Sequence, residues 1–316
     1  MLFRVNFAQL LFPDFSLILC GYLLCRYTAL NRKVWEPLES LVYYFLFPVL
    51  LFQSIIRSPL DPNTASALAF AGLCLAASGI ALNYSLPYWP WLGRHIPDKL
   101  HAASAQVGFR FNSFIALALA GKVAGAQGTQ LVAVLIGLCV PLFNIGAVWP
   151  MFRYHARQHH HNAPRHRSFA QELLRNPLII ATVSGLIGNL LGLHIPNWLE
   201  PTVSRIGASS LALGLMAAGA GMQLGSLAQA KGLAVAVLSI KHFLLPLVAW
   251  GISWLLKLAP EQAAVLMMFS ALPTASSCYV LAARMGYDGA YVAGLVTLST
   301  LLGIVSLPFA LGVLPH

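Results

Sequence analysis

The chain has 316 residues, of which 9% are charged and 58% are apolar, and its formal net charge is +10. Soluble domains carry about 25% charged and about 45–50% apolar residues, so the composition excludes an ordinary soluble protein. The positive charge does not indicate nucleic acid as a partner, because no soluble basic face exists to carry such binding. In membrane proteins an excess of Lys and Arg usually marks cytoplasmic loops.

Apolar runs without a single charge recur along the whole chain, for example at 123–152 and 206–230. A hydrocarbon core about 30 Å thick needs about 20 helical residues to cross it. The sequence therefore predicts an all-α integral membrane protein with the lipid bilayer as its surroundings. We predict ten transmembrane spans, with the bounds 8–27, 34–56, 63–86, 101–121, 128–150, 177–195, 203–226, 231–256, 261–284 and 288–313. The five cysteines lie in or beside these apolar segments, and we predict no disulfide.

The distribution of Lys and Arg predicts the orientation of the chain. Ten spans put both termini on one side of the membrane. The loops after odd-numbered spans hold twelve Lys and Arg, and the opposite side holds five. The positive-inside rule then predicts that the first set of loops is cytoplasmic and that both termini are external.

The one long loop, 151–176, is rich in His and Arg. One interpretation is a metal site, because imidazole binds Zn²⁺. The other is a solvated basic linker on the cytoplasmic face. We favour the linker, because the loop supplies no Cys and only Glu172 as a carboxylate. We predict no metal and no cofactor.

The same loop divides the ten predicted spans into two sets of five, at 1–150 and 177–316. Because five is odd, a second copy must insert upside down, and inverted repeats are typical of secondary transporters. Span four, from Asp98, aligns weakly with span nine, from Glu261, which sets Ser113 opposite Ser276. The sequence therefore predicts two inverted five-helix repeats.

Spans four and nine carry unusual residues at mid-membrane. In span nine, Pro273 removes a backbone donor, and small or hydroxylated residues follow it. This pattern predicts an unwound stretch that lines a cavity, and a simple proline kink is the alternative. In span four, Arg110, Asn112 and Ser113 lie near the middle.

Two cations in predicted spans favour an anionic substrate. Inserting the charged side chain of Arg110 or Lys241 at the bilayer centre costs about 2.5–3.5 kcal/mol of free energy. Carboxylates are scarce at mid-span, and Asp14 lies in the first turns of its span. A guanidinium fork fits a carboxylate in bidentate geometry. Alternatively, Arg110 reaches the interface or a backbone carbonyl, and Lys241 pairs with a structural acid.

We therefore predict a substrate site built from the two unusual spans and the lysine of span eight. Its members are Arg110, Asn112, Ser113, Lys241, Pro273, Thr274, Ala275 and Ser276, with Asp14, Gln53 and Gln223 as secondary candidates. For the two glutamines, hydrogen bonding between helices is the favoured role, and contact with the substrate path is the alternative.

Six motifs in the right order resemble the auxin efflux carrier family of transporters, bacterial branch. They are Pro13 with Gly21-Tyr22 in span one, Pro48 in span two, Arg110-x-Asn112 in span four, Asn176-Pro177 in span six, Lys241 with Pro246 in span eight, and Pro273 in span nine. The match covers essentially the entire chain. One position departs from the family pattern, since Ala118 stands where a proline is usual.

The resemblance implies two inverted five-helix repeats in which spans four and nine are broken and cross beside the substrate. It also implies a scaffold of spans one, two, six and seven that can form a homodimer. The other six spans would then move in an elevator-like manner. The implied substrates are small organic anions such as carboxylates, and the implied location is a bacterial inner membrane.

Other functions remain as alternatives. A sodium- or proton-coupled antiporter or symporter shares the inverted-repeat architecture, but such proteins usually need carboxylates beside the crossing. A channel or a transporter-like receptor is also compatible with the pattern. We predict no enzyme, because neither a His-Glu-x-x-His motif nor a Gly-x-Ser-x-Gly motif occurs.

Overall fold

The computed structural model describes residues 7–57, 62–90, 93–158, 175–222 and 226–312. Within these ranges the protein is helical and contains no strand, as predicted for an integral membrane protein. Six of the described helices are long and apolar enough to cross a membrane. The helices are α1 Phe7–Tyr27, α2 Arg32–Ile56, α3 Pro62–Ser85, α4 Asp98–Ser104, α5 Ser113–Gln158, α6 Pro177–Leu190, α7 Glu200–Gly221, α8 Ser226–Leu255, α9 Pro260–Ala271, α10 Ser277–Arg284 and α11 Gly289–Gly312.

Helix α5 departs most from the predicted bounds, because it is continuous where the sequence predicts a loop between residues 121 and 128. The helix is nevertheless sharply bent at this place. A methyl group on Gly128 would lie 2.4 Å from the carbonyl oxygen of Ala120, whereas eight residues of straight helix rise about 12 Å. The chain therefore reverses part of its course while keeping helical turns.

The same helix also extends into the predicted loop 151–176, as far as Gln158. Packing explains the extension, because Met151 is fully buried. Its carbonyl oxygen also accepts a hydrogen bond from the Tyr287 hydroxyl at 2.6 Å. The rest of the His-rich segment, residues 159–174, lies outside the described ranges.

Helices α2 and α8 each contain a π-helical segment, Val42–Leu46 in α2 and Ile240–Leu244 in α8. Two residues after each segment comes a proline, Pro48 or Pro246. A proline inside a helix clashes with the carbonyl four residues earlier, and that carbonyl lies within the π-helical segment in both cases. The wider turn relieves the clash without ending the helix.

Helices α1, α2, α6 and α7 form one packed group. In the α1–α7 contact, a methyl group on Gly21 would lie 1.9 Å from the Met216 carbonyl oxygen, and one on Gly219 would lie 1.8 Å from that of Ile18. Only glycine permits so close an approach of two backbones. Helix α2 packs on both α6 and α7. Asn189 of α6 donates to the carbonyl of Ile55 at 3.0 Å, which ties α6 to the end of α2.

The remaining helices form a second group around the centre of the molecule. Helix α5 packs on α3 and α9, α8 packs on α3 and α9, and α11 packs on α9 and α10. The four largest fully buried side chains of the described residues lie in these helices or in the stretch that joins α4 to α5: Phe109, Lys241, Tyr279 and Tyr291.

Candidate functional site

The chain leaves helical geometry between α4 and α5. A 3-10 turn, Ala105–Gly108, follows α4, and residues 109–112 are not helical before α5 begins at Ser113. Asn112 caps α5, because its side-chain oxygen accepts a hydrogen bond from the Ile115 N–H at 3.3 Å. The break therefore forms without a proline, and Ala118 lies inside α5.

A second break separates α9 from α10, at residues 272–276. Pro273 lies in this stretch, and Thr274 fixes it to other parts of the protein. The Thr274 N–H donates to Ser299 Oγ of α11 at 3.0 Å. The Thr274 hydroxyl donates to the Val107 carbonyl at 2.7 Å, in the turn just before the first break.

The two breaks contact each other directly. The Asn112 N–H donates to the Pro273 carbonyl oxygen at 2.8 Å, and Thr274 makes the contact with Val107. All four residues are buried. Backbone groups freed by one break are thus satisfied by the other, which is the condition under which irregular backbone is tolerated at membrane depth.

Arg110 is buried at the place where the two breaks contact each other, which we call the crossing. Its guanidinium forms hydrogen bonds to neutral groups. Its guanidinium donates to Gln106 Oε1 at 2.9 Å, to Asn144 Oδ1 at 3.1 Å and to Ser277 Oγ at 2.7 Å. Among the described residues, no carboxylate lies within salt-bridge distance of it. The positive charge of Arg110 is therefore not neutralised locally.

Asn144 of α5 is a site residue that the sequence analysis missed. It is 1% exposed, and its side-chain oxygen accepts from Arg110. Its Nδ2 group has no hydrogen-bond partner in the described part of the chain, and a buried donor left unpaired costs about 1–3 kcal/mol. The available signal was its position as the only amide side chain in the sequence from residue 131 to residue 157.

A cavity of about 60 Å³ lies against Arg110 and Asn144. One buried water needs about 10–15 Å³, so this conformation has room for a group of carboxylate size. The polar part of the lining consists of Arg110, Asn112, Ser113, Asn144, Ser276 and Ser277. The apolar part includes Phe47, Leu50 and Leu51 of α2, Leu211 of α7, and Val140 and Phe143 of α5.

The structure brings most of the predicted site residues together. Arg110, Asn112, Ser113, Ala275 and Ser276 line the cavity. Pro273 and Thr274 lie in the second break and bind the first one.

Lys241 is not among the residues that line the cavity. It is 1% exposed, in the π-helical segment of α8. It has no acidic partner within salt-bridge distance in the ranges that the structure describes. The alternative prediction, in which Lys241 pairs with a structural acid, therefore finds no such acid among the described residues.

Asp14 differs most from its sequence-based description. It is 8% exposed, and its Oδ2 accepts a hydrogen bond from Asn112 Nδ2 at 3.0 Å. Asp14 is the eighth residue of α1, so it lies about 10 Å from the start of that helix. Asp14, a secondary candidate of the sequence analysis, thus places a carboxylate beside the first break, although carboxylates are scarce at mid-span. The predicted span from residue 8 puts Asp14 at nearly the same depth, but the sequence does not show that the first break meets α1 at this position.

The two glutamines have different outcomes. Gln53 is buried in α2, and in its favoured amide orientation its oxygen accepts from both terminal nitrogens of Arg57 at 3.0 and 3.1 Å. Arg57 also forms a salt bridge with Glu200 of α7 at 2.5 Å. Gln53 thus contributes to a contact between helices. Gln223 lies outside the described residues.

A buried series of hydrogen bonds stabilises the second break. His242 Nε2 lies 2.9 Å from Ser299 Oγ, and His242 Nδ1 lies 2.8 Å from Ser306 Oγ. The Ser299 hydroxyl donates to Thr274 Oγ1 at 3.1 Å. This series of hydrogen bonds joins α8 and α11 to the second break. The bond from the Thr274 hydroxyl to the Val107 carbonyl extends it to the turn before the first break.

Helix α10 is joined to α2 by a separate polar cluster and packs on α7. The Tyr279 hydroxyl donates to Glu39 Oε1 at 2.5 Å, and Arg32 donates to the same oxygen at 2.8 Å. Glu39 is 3% exposed whereas Arg32 is 41% exposed, so the carboxylate is desolvated and the guanidinium reaches the surface. Tyr279 also packs on Gly221 of α7, where a methyl group would lie 2.1 Å from its hydroxyl oxygen.

Comparison with known families decides the kind of protein to which this crossing belongs. The model of a family described as a membrane transport protein matches residues 7–311, nearly the whole chain. The chain belongs to this family, the auxin efflux carriers. The resemblance based on six motifs is thereby confirmed. This member of the auxin efflux carrier family is a multi-pass membrane transporter, and its family is one of transport proteins. A search among curated proteins gave no match to the chain.

Proposed function

We propose that this transporter moves small organic carboxylates across a bacterial inner membrane, and that the carboxylate binds between Arg110 and Asn144. The observation that supports the proposal is a guanidinium with neutral partners beside an amide N–H with none, at one cavity. An ionised carboxylate accepts hydrogen bonds from both groups. It also neutralises the arginine in a site of low dielectric constant.

The lining of the cavity favours a ligand with one carboxylate and an apolar body. Arg110 is the only cation among the lining residues, and the opposite wall consists of aliphatic and aromatic side chains. A second carboxylate on the ligand would face Phe47 and Leu50 without a partner, and burial of an unpaired charge is costly.

An elevator-like motion is compatible with the division of the lining between two groups of helices. Helices α2 and α7 supply apolar side chains, and α5 with the two breaks supplies the polar ones. We infer a scaffold of α1, α2, α6 and α7, which is the part that can form a homodimer. The other helices would slide with the bound anion. The close α1–α7 contact supports a rigid scaffold, and the series of hydrogen bonds from His242 to Val107 supports movement of the rest as a unit.

We further propose ten spans in two inverted five-span repeats, 1–150 and 177–316, with external termini and the His-rich loop 151–176 in the cytoplasm. One break in each half, in contact with the other, supports this arrangement. Single cysteines at Asn162 and His316 in a cysteine-free background test the orientation. Only the cysteine at 316 should react with an impermeant reagent outside intact cells, and reaction of both would contradict the proposal.

Binding to the purified carrier tests the substrate class. We expect hexanoate and phenylacetate to raise the melting temperature more than succinate and malate, since a ligand of the folded state stabilises it. Saturable uptake into proteoliposomes should follow the same order and separates a carrier from a channel or receptor. Arg110→Gln should abolish both effects, and Arg205→Gln, at an exposed cation of α7, should leave them unchanged. Equal binding by the Arg110 variant would contradict the proposal.

A second candidate is a sodium-coupled carrier of the same architecture, which the Asp14 carboxylate beside the crossing favours. The described residues contain no group of three or more acidic, His or Cys side chains that could hold a metal ion. Uptake that requires a sodium gradient would support this candidate, and uptake that is equal in sodium-free solution would exclude it.

A further inference from the structure

Asp14 is a buried carboxylate with one neutral partner, the Asn112 amide. No Lys, Arg or His of the described chain lies within salt-bridge distance of it. An ionised carboxylate in this position is costly, because a single amide donor replaces its hydration. A protonated carboxyl group keeps the same hydrogen bond through its carbonyl oxygen. The contact with Asn112 is therefore compatible with both protonation states.

The elements packed around Asp14 do not fix its charge. Helix α1 packs mainly on α7 and α11. The charged residues of α7 are Glu200 and Arg205, both in its first two turns. Helix α11 carries no charged residue, and the hydroxyl of its one titratable side chain, Tyr291, donates to the Ala230 carbonyl at 2.9 Å. On α1 itself, the charged residue besides Asp14 is Arg26, in the last turn.

At the crossing, Arg110 is the cation nearest in sequence to Asn112, and its guanidinium is directed to other groups, namely the side chains of Gln106, Asn144 and Ser277. It therefore does not hold Asp14 in the ionised form through a salt bridge. The charge of Asp14 is free to respond to what occupies the cavity.

Asn112 connects Asp14 to the cavity in which we place the anion. It lines that cavity, and its Nδ2 group bonds Asp14. A carboxylate bound at Arg110 adds a negative charge on the other side of Asn112. A nearby like charge favours the protonated form of an acid, and by linkage the protonated form binds the anion more tightly.

We propose that Asp14 is the proton-coupling site of the carrier, so that one proton crosses the membrane with each carboxylate. The Asp14 carboxylate takes the proton from water on the loading side as the anion binds. Because α1 belongs to the proposed scaffold and Asn112 to the moving group, the sliding motion separates Asp14 from Asn112, and the carboxyl group then returns the proton to water on the other side as the anion leaves. The proposal rests on the carboxylate site proposed above and adds the coupling ion to it.

The first test needs no ligand. Asp14→Asn keeps an acceptor for Asn112 but cannot titrate. Difference infrared spectroscopy on the full-length carrier, from mildly alkaline to mildly acidic solution, should show a protonated-carboxyl band that the Asn variant lacks. Asp98→Asn, at an exposed carboxylate, is the matched control and should retain the band. A band unchanged in the Asp14 variant would overturn the proposal.

The second test measures coupling with two probes, hexanoate and hexanesulfonate, because the sulfonate stays ionised throughout. Calorimetry in buffers of different ionisation enthalpy should give about one proton taken up per anion bound at a pH where free Asp14 is ionised. Both the proton uptake and the pH dependence of affinity should disappear in Asp14→Asn. Over the coupled range, the wild-type affinity for the sulfonate should rise by up to about tenfold per unit fall in pH.

The outcomes separate the two proposals. Anion binding without proton uptake in the wild type would overturn the coupling and leave the carboxylate site in place. Failure of both probes and of the wider carboxylate panel to bind would contradict the proposed function. The infrared titration would then still decide whether Asp14 changes its protonation state.

Discussion

The two breaks that contact each other are held in place by different means. The break at residues 272–276 contains Pro273, whereas the break at 109–112 contains no proline. The break at 109–112 ends at the Asn112 cap on α5. The break at 272–276 is fixed by hydrogen bonds of Thr274 to other elements. The comparison teaches that satisfied backbone groups, rather than a proline, define a stable break in this protein.

The largest effect should come from the residue that joins both breaks. Arg110 bonds Gln106 before the first break and Ser277 after the second. We expect Arg110→Ala to weaken carboxylate binding by at least about a hundredfold, since hydrogen bonds to charged groups contribute about 1.5–3 kcal/mol each. Arg110→Lys should recover little, because the planar fork is lost. Calorimetry measures the affinity, and an affinity within about threefold of wild type for the alanine variant would give Arg110 a purely structural role.

Asn112→Ala tests the break that lacks a proline. It removes the cap on α5 and the donor to Asp14 together. We expect a loss of about 1–3 kcal/mol of folding free energy, because the carboxylate loses its hydrogen-bond partner. Anion affinity should fall as well. Thermal unfolding in detergent measures the loss, with Asn197→Ala at an exposed loop position as control. An unchanged melting temperature would mean that the cap is dispensable.

Thr274→Val tests the hydrogen bonds that fix the break with a proline. Valine has nearly the same shape but loses the bond to the Val107 carbonyl and the acceptor for Ser299. We expect about 1–2 kcal/mol of destabilisation and a smaller effect on affinity, because Thr274 does not line the cavity. Thr202→Val, at an exposed position, should have no effect. A Thr274 variant as stable as the wild type would refute the argument.

Pro273→Ala should have the smallest effect. The alanine N–H becomes available for helix formation, but the Asn112 N–H still holds the carbonyl of residue 273 and Thr274 still holds Val107. We expect the dissociation constant to change by less than about threefold, or about 0.7 kcal/mol. A tenfold loss would show that the proline itself maintains the second break and that the two breaks differ in kind.

The sequence predicts the helices where local chemistry determines them. Helix α6 begins at Pro177, after Asn176, whose side chain accepts a hydrogen bond from the Leu178 N–H at 3.0 Å. A capping residue followed by proline is a local signal for a helix start. The predicted loop after residue 121 instead became a bend within α5, since the glycines there permit close packing without ending the helix.

The sequence predicts the site only where a charged or amide side chain stands inside an otherwise apolar span. Arg110 and Asn112 could be found because charges and amides are costly at membrane depth. Asn144 was missed and Asp14 was only a secondary candidate, because their roles depend on which side of a helix meets the two breaks. The cluster of Arg32, Glu39 and Tyr279 was missed for the same reason, since it joins residues about 240 positions apart in the chain.

The glycine contact between α1 and α7 has a consequence for the synthesis of the chain. Gly21 meets the backbone of Met216, about 195 residues later in the sequence. At roughly 5–20 residues per second, α1 waits roughly 10–40 s after its own synthesis for this partner. During that interval its glycine surface and Asp14 are without their final neighbours. Membrane insertion of this carrier therefore passes through a long-lived intermediate in which the first helix made has not yet reached its place.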